Sequence, residues 1–152
     1  MSRPTITILN GPNLDRLGTR EPGIYGRETL SDIEAACRHR AEAGGFSVSF
    51  RQTSHEGALV EFVHAAADDP SVVGVIVNAG AYTHTSIALH DALRLLKVPV
   101  VEVHLSNTHT REAFRHVSYV SPVATGIVMG FGSLSYLLAV DAVMHRAAAS
   151  AA

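Results

Sequence analysis

One lysine, Lys97, and one cysteine, Cys37, stand in a chain of 152 residues. A lone cysteine excludes a disulfide framework and a cysteine-based metal cluster, and a reducing cytoplasm suits it best. Cys37 falls at helical spacing among apolar neighbours and reads as packing rather than as a nucleophile. The lone lysine restricts the chemistry further. An imine mechanism needs an amine, and Lys97 sits just before a strand, at the end opposite the candidate site, which disfavours Schiff-base catalysis. Charged residues make up 17% of the chain with a net charge of -2, and Lys and Arg form no run. That leaves no basic footprint for nucleic acid. No stretch approaches about 18 unbroken apolar residues, and the first ten residues carry no apolar export core, so a soluble, unexported protein without membrane association is expected. Nucleotide fingerprints are missing too. Gly130-Phe131-Gly132 has Ser135 where a third glycine belongs, and no P-loop run occurs.

What is present is 47% hydrophobic residue, enough for one compact domain over residues 1–152. Val72 to Val77 is a run of branched apolar residues interrupted only by Gly74, the mark of a strand buried on both faces, and it stops at Asn78. Thr5 to Leu9 is a shorter run ending in Asn10-Gly11-Pro12-Asn13, a turn. Further strands are expected at Phe46 to Phe50, on the sheet edge, at Val98 to Val103 and at Thr125 to Met129. Helices are expected at Thr29 to Ala43, opened by a capping box, at Glu56 to Ala67, at Thr85 to Leu96 with Ile87, Leu89, Leu93 and Leu96 inward, and at Ser133 to Ala149. Strands alternating with helices make an α/β protein, and with five strands the flavodoxin-like order 2-1-3-4-5 is expected, with helices on both faces. In that order a crevice opens beside Asn10 to Asn13 and Asn78 to His84, at the carboxyl ends of the strands. Leu14 to Arg27 and Leu105 to Pro122 are long polar connections of the kind that carry function.

Chemistry-bearing residues gather in those segments. Glu102 and His104 are two apart and share one strand face, a spacing that suits a carboxylate orienting an imidazole, with His104 as proton donor. Neither HExxH nor a compact ligand spacing accompanies the nine histidines, so no metal is expected. Arg20 stands near Tyr25, and adjacent cations lower a phenol's pKa, which opens a general-base role for Tyr25. Arg111 and Arg115 are four apart, matching one helical face able to clamp an anionic or hydroxylated substrate. Taken alone, Tyr25 and the arginine pair each have a commoner structural explanation, in packing and in a solvated basic face; the convergence of all these signals on one sheet edge is the argument.

The motifs ILNGPNL (Ile8 to Leu14), LGTREPGIYG (Leu17 to Gly26), NAGAYTHTSIAL (Asn78 to Leu89), EVHLSN (Glu102 to Asn107) and REAFRHVSY (Arg111 to Tyr119) resemble those of type II 3-dehydroquinate dehydratases. The resemblance implies loss of water from 3-dehydroquinate to give 3-dehydroshikimate, through an enolate and with neither metal nor organic cofactor. Tyr25 would take the proton beside the ketone, kept ionised by Arg20 and Arg111. His104, oriented by Glu102, would protonate the departing hydroxyl, and Asn13 would hold a water or the enolate oxygen. The amides of Leu105 and Ser106, with the Ser106 hydroxyl, would bind the carboxylate, while Asn78, His84 and Arg115 would bind ring hydroxyls. Gly80 and Ala81 belong to the same matching motif and are placed at the substrate. Asp91 would reach a neighbouring subunit's site in a dodecamer of four trimers. Aromatic biosynthesis and quinate breakdown share this step. The rival readings are a non-enzymatic binding or assembly module on the same fold and, more distantly, a flavodoxin-like cofactor carrier.

Overall fold

The computed structural model describes residues 3–19 and 27–151. Five parallel strands run in the order β2-β1-β3-β4-β5: β1 (Thr5–Asn10), β2 (Ser47–Gln52), β3 (Val72–Asn78), β4 (Val100–His104) and β5 (Gly126–Met129). The helices are α1 (Leu30–Ala43), α2 (Glu56–Asp68), α3 (Ile87–Leu93) and α4 (Leu134–Ala151). This is the expected flavodoxin-like order, with β2 on the edge. Among the described residues no helix is long and apolar enough to cross a membrane.

Alternation along the strands sends side chains to two cores. Ile6, Ile8, Ile76, Val101 and Val103 meet α1 and α4 through Ile33, Cys37, Tyr136, Val140 and Val143. Leu9, Val75, Val77 and Val100 meet α2 and α3 through Leu59, Val63, Leu89 and Leu93. Burial pushes the Cys37 thiol up to about 12, as expected of a packing residue. The capping box forms as expected: Thr29 accepts from Asp32 N, and Asp32 accepts from Thr29 N. β3 gives α4 close access, because Gly74 leaves room for the Val143 side chain that a Cβ would strike.

Two expectations need correction. The helix expected over Thr85 to Leu96 is shorter. Gly80–His84 forms a 3-10 turn first, and Ser86 then caps α3 by accepting from Leu89 N at 2.9 Å. Ile87, expected inward, is 60% exposed. It lies two residues, about 200° around the helix, from Leu89, which with Ala92 and Leu93 forms the buried stripe. The connection from His104 to β5, expected only as a long polar connection, holds three 3-10 turns, Thr108–Thr110, Ala113–His116 and Ser121–Val123.

Candidate active site

β1 and β3 end level, with Asn10 beside Asn78 in the register, and each continues into a tight turn. The two turns lie against one another. Gly11 N donates to Asn78 O at 2.8 Å, a Cβ on Gly11 would run into the Ala79 backbone, and one on Gly80 would meet Pro12 O at 3.0 Å. Asn13 closes the first turn at φ 70°, a left-handed conformation that asparagine tolerates better than most residues. Between these turns and the end of β4 opens a crevice of about 440 Å³. Asn13, Asn78, Gly80, Ala81 and His84 line it on one side, and His104, Leu105, Ser106, Arg111 and Arg115 on the other. Of the residues singled out in the sequence, Glu102 lies behind this wall and Asp91 on the exposed side of α3. Arg20 and Tyr25 fall outside the described residues.

Alternation on β4 puts Glu102 and His104 on one face, both buried. His104 Nε2 donates to Glu102 Oε2 at 2.6 Å, leaving Nδ1 as the other ring nitrogen. Ser118 Oγ donates to the same carboxylate oxygen at 2.9 Å, and Ser121 Oγ donates to Oε1. Burial pushes the Glu102 carboxyl up, but the hydrogen bonds from His104, Ser121 and Ser118 and the attraction of His104 outweigh it. The group is held below its ordinary value of 4.5. A carboxylate fixed in this way sets the His104 tautomer and the orientation of the ring on the crevice wall.

His84 stacks 6.5 Å from His104 with the rings 17° apart. Its Nδ1 donates to Val117 O at 2.7 Å; a carbonyl only accepts, so Nδ1 carries the hydrogen, and Nε2 has no partner among the described residues. The same strap of chain is pinned again where Tyr119 N donates to Thr83 O at 2.8 Å and His90 Nδ1 to Tyr119 O at 2.7 Å. Arg111 and Arg115 do not share a helical face as their spacing suggested. Arg111 ends one 3-10 turn in extended backbone and Arg115 sits within the next, yet both reach the crevice. Arg115 Nε is tethered to Glu112 at 3.2 Å, while Arg111 Nη1 comes to 3.5 Å from Ser106 Oγ. The backbone amide of Glu112 holds its carboxyl below the ordinary range, against a desolvation cost that the Arg115 hydrogen bond and the charges of Arg115 and Arg111 help to offset.

Behind Glu102 is a second cavity of about 310 Å³, which shares His84, Thr108 and Arg115 with the crevice. Thr83 Oγ1 lines it, fully buried, without a hydrogen-bond partner among the described residues. Among those residues no three His, Cys, Asp or Glu side chains converge as metal ligands.

Sequence reasoning missed Ser118 and Ser121 as partners of Glu102 and Tyr136 as a partner of Asn78. No local spacing links them, since the contacts span 16, 19 and 58 positions. A phenol inside an otherwise apolar helix stripe was the one available signal for Tyr136.

The family model for dehydroquinase class II matches residues 4–144. The chain is 56% identical over 141 residues to the 3-dehydroquinate dehydratase of Rhizobium etli, covering 93% of this chain and 96% of that protein. It is 59% identical over 141 residues to that of Jannaschia sp., covering 93% and 94%. A crystal structure of type II dehydroquinase from Propionibacterium acnes superposes with a TM-score of 0.87 at 43% identity, covering 95% of this chain and 98% of that one.

Proposed function

The chain belongs to the dehydroquinase class II family and is a hydro-lyase that dehydrates 3-dehydroquinate, and we propose that it does so through an enolate, without a Schiff base, metal or organic cofactor. Tyr25, as phenolate, takes the proton on the carbon beside the ketone, and the electron pair moves onto the ketone oxygen. The pair then returns to form the carbon–carbon double bond as the neighbouring C–O bond breaks. His104 delivers a proton to the leaving hydroxyl, and water departs from 3-dehydroshikimate. A phenol ionises near pH 10 in water, so the base needs cations close by; Arg20 and Arg111 fill that role.

The observation that carries this reading is the buried Glu102–His104 pair at the crevice wall, 2.6 Å apart, an imidazole braced to hold and release a proton. Asn13 steadies the developing enolate charge. Leu105 and Ser106 offer amides, and Ser106 a hydroxyl, to the substrate carboxylate. Asn78, His84 and Arg115 take the ring hydroxyls, beside the Gly80-Ala81 turn. The test is turnover followed by the ultraviolet absorbance of the conjugated product. Tyr25→Phe and His104→Ala are each expected to abolish it while the fold survives, and borohydride or a chelator added with substrate leaves the wild type active. Inactivation by borohydride overturns the imine-free route. Calorimetric binding without turnover by the wild type would instead favour a binding module.

Residues 1–152 act on this reading as one catalytic domain, in a cytoplasm whose reducing conditions suit the buried thiol of Cys37. Asp91 completes a neighbour's site in a dodecamer of four trimers. Its exposure on α3, with Ile87, Phe114 and Val117 each more than half exposed, supports a covered surface there. Light scattering that reports a monomer at working concentration refutes the assembly.

A further inference from the structure

Both polar ends of the Asn78 side chain are tied into the protein. Its Nδ2 donates to Tyr136 Oη at 2.9 Å, and its Oδ1 accepts from Gly80 N at 3.3 Å. Tyr136 Oη in turn donates to Asn10 Oδ1 at 2.6 Å, and Asn10 Nδ2 donates to Arg51 O at 3.0 Å. Asn10 and Asn78 are adjacent in the register and point to the same face of the sheet, where α4 sets the Tyr136 phenol between them. All three side chains are buried.

The polarity of this relay is fixed from both ends. The Arg51 carbonyl only accepts and the Gly80 amide only donates. Asn10 must therefore turn its nitrogen to Arg51 and its oxygen to Tyr136. The phenol must then donate to Asn10 and accept from Asn78, and Asn78 must turn its oxygen to Gly80. Flipping either amide sets donor against donor or acceptor against acceptor in a site closed to water, which the fold resists. Burial raises the Tyr136 phenol well above its ordinary range, the Asn78 hydrogen bond offsetting only part of this. It stays a neutral phenol and takes no part as a base. Among the described residues, what remains to Asn78 is one unused N–H and one unused lone pair, held in a fixed plane at the crevice wall.

We infer that Tyr136, which never touches substrate, is a positioning residue: through the Asn10–Tyr136–Asn78 relay it sets the plane and direction of the Asn78 amide that receives a ring hydroxyl. The inference rests on the substrate-binding reading of Asn78 given above. An amide already oriented loses little freedom when the ligand arrives, so the effect falls on binding.

Tyr136→Phe removes one oxygen and keeps the ring. In the full chain with 3-dehydroquinate, KM is expected to rise about fivefold, the scale of one misplaced hydrogen bond, with kcat changed less than about twofold. In an Asn78→Ala background the same substitution adds nothing to KM, because the group it orients is gone. If Tyr136→Phe does not fold, Asn10→Ala interrupts the relay one link earlier and frees the phenol to reverse. It carries the same expectation in both backgrounds. A folded variant with wild-type KM overturns the inference, and so does an equal KM rise with and without Asn78, which marks a structural hydroxyl. Wild-type turnover in the same assay separates the two levels: its absence sinks the functional reading and the inference together, whereas an active wild type beside an indifferent variant sinks the inference alone.

Discussion

Replacing Glu102 by glutamine keeps the shape of the wall behind His104 and removes its charge. The retained oxygen still accepts from His104 Nε2 and Ser118, as Oε2 does now, while the new amide faces Ser121, whose hydroxyl is able to turn and accept. What is lost is the charged character of the bond to His104. A hydrogen bond to a charged partner contributes about 1.5–3 kcal/mol and a neutral one about 0.5–1.5, so removing the carboxylate charge weakens the bracing of His104 by roughly 1.5 kcal/mol, about tenfold in kcat. His104→Ala removes the proton donor itself and is expected to cost at least about a hundredfold. Steady-state turnover of the two variants gives the ranking, and a Glu102→Gln as damaged as His104→Ala, or one left at wild-type rate, refutes the bracing role. Stability carries an independent signature. The Glu102 carboxyl is held below its ordinary 4.5 in the folded chain. Its contribution is therefore complete above that value and disappears as pH falls through the lower folded value. Urea melts should show wild type losing stability below about pH 4.5 faster than Glu102→Gln, and parallel curves for the two proteins contradict the assignment.

Two further outcomes test the packing. Gly74→Ala places a methyl against Val143 on α4; overpacking of this kind costs about 1–3 kcal/mol, a fall of roughly 3–10 °C in Tm, and an unchanged melt means that α4 yields without cost. Cys37, buried and with its thiol raised to about 12, should ignore a thiol reagent at pH 8 in the native protein and react fully in denaturant; rapid native labelling contradicts its burial.

Legibility from sequence divides along a physical line. The central strand declared itself because five of the six residues from Val72 to Val77 are branched and apolar, and Thr29 with Asp32 announced a helix start because a capping box is a contact over three residues. The crevice followed from strand order, and Glu102 and His104 from a period of two. Ile87 misled because the turn at Gly80–His84 resets the helical phase after Asn78. Arg111 and Arg115 misled in their setting, although both face the crevice, because a spacing of four has no meaning across two separate 3-10 turns. Ser121 on Glu102 and Tyr136 on Asn78 carry no periodic trace, since those pairs exist only after the sheet has assembled. The roles of Tyr25 and Arg20 rest on motif resemblance.

The strap from Val117 to Ser121 has a consequence for how this chain is able to vary in length. Val117 holds His84, Tyr119 is tied to Thr83 and His90, and Ser118 and Ser121 hold Glu102. Successive residues thus serve opposite sides of the site, like teeth cut to two gears. One inserted residue puts the two out of phase, so that either His84 or Glu102 loses its partner. The turn at Gly45, where nothing lies within 4 Å of an added Cβ, has room to lengthen; here the residue count is part of the active site.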